Sequence, residues 1–180
     1  MNSEISKAVE CLKKGGIIIY PSDTIWAIGC DATNSKAISK IFKIKKRDST
    51  LPLICLMNNY KMLNKYVDIS DKIKNFLQLQ NKPTTIIYNK IKKFSVYKET
   101  VAVRIPNDQF CLKLISEFNK PITSTSVNIS GDNFPEFFNE IKDEILNQID
   151  YSVNLKRNEK LKTPSQIIKI DGDSFITLRS

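Results

Sequence analysis

The segment Ile17-Ile18-Ile19-Tyr20 constrains this chain more than any other. Its apolar residues follow one another without alternation, and three of the four are β-branched. Such a run suits a strand covered on both faces and does not suit a solvated sheet. Gly15-Gly16 leads into it and Pro21-Ser22-Asp23-Thr24 leads out. Ahead of it, residues 3–14 place Ile5, Ala8, Val9 and Leu12 at helical spacing. An amphipathic helix beside a doubly covered strand calls for helices layered on a sheet.

The same alternation continues. Residues 25–30 are apolar again. Asn34 is placed to cap a helix through residue 45, whose stripe is Ala37, Ile38, Ile41 and Phe42. Residues 53–57 read as a second buried strand. Residues 70–79 read as a helix capped by Ser70 or Asp71, with Ile73, Phe76 and Leu77 inward. Residues 84–88 and 101–105 follow as strands, and Asp108 caps a helix to residue 118 with Cys111, Leu112 and Ile115 on one face. A short strand at 121–125 runs into a polar loop. The spacing predicts a helix over 137–149, a mobile, most exposed loop over 154–162, and strands at 151–153, 166–170 and 175–178. The pattern predicts an α/β domain with a mixed sheet. No repeat or linker divides it, so residues 1–180 are expected to form a single domain.

Composition removes several chemistries. The chain has no histidine, which excludes Ser-His-Asp and Cys-His units, histidine-ligated zinc and histidine-held haem. Cys11, Cys30, Cys55 and Cys111 are scattered, with no CxxC pair, and read as core fillers. No apolar run approaches the roughly 20 residues of a membrane span, and the N-terminus lacks the apolar centre of a signal peptide, so a cytoplasmic protein is expected. Lys+Arg number 28 against 19 Asp+Glu, a formal charge of +9. Nearly all of it is lysine, which fits either a solvated surface or a surface for an anionic partner. A nucleic-acid footprint clusters such charge with aromatics, and Lys90-Ile91-Lys92-Lys93-Phe94 comes nearest.

Four polar segments stand where strands or helices end, which is where α/β sheets place ligands. Pro21-Ser22-Asp23-Thr24 offers small hydrogen-bonding groups, either as a backbone-satisfying turn or as a substrate contact. Lys45-Lys46-Arg47 either complements a helix C-terminus or gathers phosphate or carboxylate. Ser124-Thr125-Ser126-Val127-Asn128-Ile129-Ser130-Gly131 is either a polar turn or an anion cradle. The last group is Arg104, Ser165 and Arg179. Arg104 sits in the apolar strand Val101-Ala102-Val103-Arg104-Ile105, so a structural acid or a ligand anion must meet it. With five glycines and no Walker A or GxGxxG pattern, a phosphate site here relies on side-chain cations, hydroxyls and a metal ion.

In this order the segments resemble the YrdC-like family of threonylcarbamoyl-AMP synthases. The resemblance rests on residues 16–24, 41–47, 101–106, 124–131 and Pro164-Ser165-Gln166-Ile167-Ile168, with Lys45-x-Arg47 and Ser126-x-Asn128 as its most specific pairing. It implies a twisted, open mixed sheet with helices packed on it, one basic concave cavity, and the short single-domain form. It implies an enzyme, a nucleotidyltransferase that condenses L-threonine, bicarbonate and ATP to threonylcarbamoyl-AMP and pyrophosphate, with Mg2+ accompanying ATP. A partner transferase would carry the group to tRNA. The resemblance makes Lys45, Arg47, Ser126 and Asn128 the catalytic set. It places Ser22, Arg104, Ser126 and Ser165 around threonine, and Lys45, Arg47, Thr100, Asn128 and Arg179 around ATP, with Arg47 beside the phosphates or the carbamate.

The chain departs from the family pattern at Ser22 (commonly threonine), Trp26-Ala27 (commonly Tyr-Gly, a change expected to reshape the pocket wall) and Leu51-Pro52-Leu53. It departs again at Lys82-Pro83-Thr84-Thr85, at Leu56, and at Glu136, where a hydroxyl often faces ATP. Two other readings stay open: a non-catalytic basic RNA-binding module, and a relative of the hydrogenase-maturation carbamoyltransferases, whose chains are much longer.

Overall fold

A computed structural model describes every residue of the chain except Pro52 and Asp173, so part of the Leu51-Pro52-Leu53 departure lies outside the described residues. The order of elements is α1 (Asn2–Lys13), β1 (Ile18–Pro21), β2 (Trp26–Gly29), α2 (Ser35–Ile44), β3 (Ile54–Leu56), α3 (Tyr60–Tyr66), α4 (Asp71–Gln78), β4 (Thr84–Tyr88) and β5 (Val101–Arg104). Then come α5 (Gln109–Phe118), β6 (Ile122–Ser126), a 3-10 turn (Phe138–Glu140), α6 (Asp143–Leu146), β7 (Tyr151–Ser152), β8 (Gln166–Asp171) and β9 (Ser174–Arg179). Among the described residues the strands form one sheet in the order β7-β1-β2-β6-β3-β5-β4-β8-β9. It is mixed: β1–β7, β3–β5 and β4–β8 run parallel and the other neighbours antiparallel.

The opening apolar run is buried on both faces, as its composition demands. Ile18 and Tyr20 enter a larger core with α1 and α5, while Ile17 and Ile19 enter a smaller core with Ala37, Ile38, Ile41 and Ile44 of α2. β2 alternates likewise, with Ala27 in the larger core and Trp26 and Ile28 in the smaller. At the other end of the sheet, Val101 and Val103 of β5, Ile86 and Tyr88 of β4, and Ile168 of β8 face the larger core. Period-two geometry turns their neighbours Ala102, Arg104, Ile87 and Ile167 to the opposite face. That face is where the candidate site forms.

Three helices carry the caps expected of them: Asn34 accepts from Lys36 and Ala37 N–H, Ser70 from Ile73 N–H, and Asp108 from Cys111 N–H. The stripes differ in detail. Ile44 takes the buried place expected of Phe42, and α5 buries Phe110, Leu114 and Phe118 beside Cys111 and Ile115, leaving Leu112 half-buried.

The helix expected over 137–149 is broken. Glu140 Oε2 accepts from the N–H groups of Glu136 (2.7 Å) and Phe137 (3.2 Å), and Ile141 and Lys142 are extended. Side-chain bonds to the backbone there compete with helix continuation. The loop expected to be most exposed, 154–162, is instead pinned. Lys156 pairs with Asp108 (2.7 Å), Arg157 stacks on the Phe138 ring (4.0 Å), and Leu161 N–H donates to the Glu136 carbonyl (2.8 Å).

Candidate active site

Helix α2 ends at Lys45, and Lys46 takes a left-handed backbone (φ 48°) that turns the chain toward Arg47. The Lys45 side chain is only 2% exposed. Its ammonium donates to the carbonyl oxygens of Ser126 and Asn128 and to Asn128 Oδ1 (3.2 Å). In return Ser130 N–H donates to the Lys45 carbonyl (2.8 Å). The end of α2 and the loop after β6 are thus locked together. Burial, then the nearby Arg47 charge, pushes the Lys45 pKa down to about 7.

In front of this lock lies a cavity of about 210 Å³. Arg47, Arg104 and Arg179 line it together with Ser126, Ser165 and Thr24. Its lining contains no Asp or Glu among the described residues. Arg47 Nε donates to the Leu51 carbonyl (3.4 Å). Arg179 Nε and Nη2 grip the Ser165 carbonyl (2.9 and 2.6 Å), and Ser165 Oγ shares a hydrogen bond with Thr85 Oγ1 (2.8 Å). Partial burial lowers the pKa of both Arg47 and Arg179, yet a guanidinium stays charged throughout the usual pH range.

A structural acid meets the buried arginine. Arg104, 3% exposed, donates from Nη1 to Asp23 Oδ1 (2.5 Å) and from Nη2 to Thr24 Oγ1 (3.2 Å). Asp23 Oδ2 in turn accepts from Asn107 N–H (2.8 Å). Ser22 is fully buried behind this pair. Its hydroxyl donates to the Ile25 carbonyl, accepts from the Thr24 and Ile25 N–H groups, and shares a bond with Thr24 Oγ1 (2.8 Å).

Of the residues singled out in the sequence, Arg47, Arg104, Ser126, Ser165 and Arg179 line one cavity. Ser22, Lys45, Asn128 and Thr100 do not line it. Ser22 supports the Thr24 turn, Lys45 and Asn128 hold the loop behind Ser126, and Thr100 stands half-buried just before β5. Thr24, Ser124 and Thr125 line the cavity without having been singled out, although each lies inside a quoted segment.

Trp26 and Ala27 are not among the residues that line the cavity: both are buried, in opposite cores. Leu56 is core, and Glu136 pairs with Lys160 (2.6 Å) rather than facing the cavity. Lys82, Pro83 and Thr84 border a different cavity of about 540 Å³. Among the described residues, no cluster of three His, Cys, Asp or Glu offers a metal site, and no helix is long and apolar enough to cross a membrane.

The model of the Sua5/YciO/YrdC domain, described as telomere recombination, matches residues 10–180. The chain belongs to the Sua5/YciO/YrdC family. Among curated members, a threonylcarbamoyl-AMP synthase of Pseudoalteromonas translucida is 34% identical over 160 residues, covering 84% of this chain and 86% of that protein. The structure of P. abyssi Sua5 complexed with L-threonine superposes with a TM-score of 0.85 at 23% identity, covering 99% of this chain. This chain spans about half of that Sua5, 54% of its length. E. coli YciO superposes with a TM-score of 0.84 at 22% identity, covering all of this chain and 90% of YciO. The open mixed α/β sheet is therefore the fold of the family.

Proposed function

We propose that this chain, acting as a single domain, is an L-threonylcarbamoyladenylate synthase and a nucleotidyltransferase. The carrying observation is the cavity lined by Arg47, Arg104 and Arg179 with serine and threonine hydroxyls and, among the described residues, no acid. Relatives with 34% identity over most of the chain bear the synthase name, which supports the reading. The threonine amine takes up bicarbonate with loss of water, giving a carbamate. A carbamate oxygen then attacks the α-phosphorus of ATP, and pyrophosphate leaves.

Bicarbonate, ATP, the carbamate and pyrophosphate are anions and threonine brings a carboxylate, so charge gathering and positioning dominate the catalysis. Arg104, steadied by Asp23 and Thr24, has donors left for the threonine carboxylate, with Ser126 and Ser165 nearby. Arg47 and Arg179 suit the phosphates. Lys45 and Asn128 set the backbone of the loop that carries Ser126. In this reading Thr100 and Ser22 belong to the supporting walls. Among the described residues the lining offers no carboxylate to a resident magnesium ion, so in this reading Mg2+ enters as part of the ATP substrate. The product would pass to a transferase that modifies tRNA in the cytoplasm.

The RNA-binding alternative is weaker. Phe94, the aromatic of its best segment, is 2% exposed and packs on Tyr66 and Tyr97, and Lys92 pairs with Asp68 (2.7 Å). A stacking platform needs exposed rings.

Pyrophosphate release from Mg-ATP and bicarbonate, with and without L-threonine, tests the reading. Threonine-dependent release is expected. Its absence in folded protein, with salt-sensitive RNA binding instead, would favour the alternative.

A further inference from the structure

Three arginines line the cavity, and one differs from Arg179 in its electrostatic surroundings. Arg179 is held by the Ser165 carbonyl oxygen, a neutral partner, and no ion pair joins it to an acid among the described residues. Arg104 is held by a carboxylate. Asp23 is 11% exposed at its side chain and does not line the cavity; it reaches Arg104 from behind and borders the separate 540 Å³ cavity. Its second oxygen is fixed by Asn107 N–H, so the carboxylate cannot swing away without losing a backbone bond. The guanidinium is fixed at its other nitrogen by Thr24 Oγ1, itself steadied by Ser22.

We propose that Asp23 is a positioning and specificity-determining residue that sorts carboxylate from phosphate within the cavity. The proposal rests on the synthase reading above. By cancelling most of the Arg104 charge, Asp23 leaves that end of the cavity with directed donors but little net positive potential. A single carboxylate that matches the fixed donors binds there. A multiply charged phosphate gains more from the uncompensated Arg179 and is drawn to that side. Without this sorting, the phosphates of ATP and pyrophosphate would compete for the amino-acid end. Ser22, fully buried and outside the cavity lining, then acts through Thr24 and Arg104, while Thr24 both steadies Arg104 and faces the cavity.

The test compares D23N, D23E and T24V with the parent chain, each first checked by circular dichroism and thermal melting. Calorimetry without ATP measures L-threonine binding and inorganic phosphate binding, and pyrophosphate release then gives KM and kcat. D23N should weaken threonine about tenfold or more, the scale of one charge-assisted hydrogen bond, with kcat at saturating threonine within about threefold. In D23N inorganic phosphate should become competitive with threonine. T24V should weaken threonine without admitting phosphate.

An unchanged threonine affinity in D23N overturns the proposal. So does a weakened affinity without phosphate competition, because that leaves Asp23 a merely structural role. Phosphate competition in T24V also overturns it. If D23N does not fold, D23S is read by the same two criteria; D23E, which keeps the charge, should leave phosphate excluded, and phosphate competition in D23E overturns the proposal. Because the binding arm does not need turnover, a parent chain that releases no pyrophosphate sinks the synthase reading while the sorting of the two anions is still read directly.

Discussion

Lys45 carries its charge in a place where, among the described residues, only carbonyl oxygens meet it. Burial and Arg47 bring its pKa to about 7 from the ordinary 10.5. Between those values the unfolded chain holds a proton that the folded chain has given up, so stability rises with pH across that window. Below pH 7 both states are protonated and the cost of burying the charge is constant. The stability difference between the parent chain and K45M should therefore climb from about pH 7 to about pH 10, by at most ~1.4 kcal/mol per pH unit. Urea melts at several pH values measure it, and parallel curves would show that Lys45 does not titrate there. Arg47 lines the cavity itself, so R47A should lower threonine-dependent pyrophosphate release 10²-fold or more if it stabilises transition-state charge. The Lys-x-Arg pair was legible in the sequence, but its division of labour was not. Adjacent cations at a helix end look alike until the left-handed turn at Lys46 sends one into the loop lock and the other into the cavity.

Elements with strong periodicity or full apolar character were readable to within a residue or two. β1, β4, α2 and α5 are of this kind, because burial on two faces or a stripe with an acceptor at its N-cap leaves few alternatives. Helix α3 went unread, since its seven residues bury only Met62 and Leu63 and present no stripe. The 137–149 segment has the apolar spacing of a helix, and hydrogen bonds from backbone N–H groups to Glu140, which spacing does not encode, override it. The junction of β2 and β6 was equally hidden. A Cβ on Gly29 would lie 2.2 Å from the Thr123 carbonyl oxygen, the same oxygen that accepts from Tyr20 Oη (2.9 Å). G29A must push β6 away or break that bond, and should cost about 3 kcal/mol, the upper end for overpacking. A lowered urea midpoint with weakened threonine binding is the expected pair of readouts, because β6 also supplies Ser124 and Ser126 to the cavity.

At the scale of the molecule, the sequence announced a layered α/β domain, and of the residues singled out by resemblance Arg47, Arg104, Ser126, Ser165 and Arg179 share one cavity while Ser22, Lys45, Thr100 and Asn128 lie outside its lining. Strand order was beyond reach, because strands distant in sequence adjoin in the sheet. That order gives β6 an unusual responsibility. Remove it and the sheet falls into two pieces, β7-β1-β2 and β3-β5-β4-β8-β9. While the chain is being made, everything up to residue 118 precedes the strand that joins them. Until β6 arrives, β2 and β3 each offer a raw edge of unpaired backbone, the kind of edge that seeds association between chains. The fragment 1–118 should accordingly lack cooperative unfolding and self-associate, as sedimentation and thermal melts would show; a monomeric fragment with a sharp transition would contradict this. Refolding of the whole chain should be slow for its size, since the central pairing waits on loop closures of long span. The anion cavity waits longer still, because Ser165 and Arg179 are made after the loop that follows β6, so its lining is assembled only once the two halves have been stitched into one sheet and β8 and β9 have joined it.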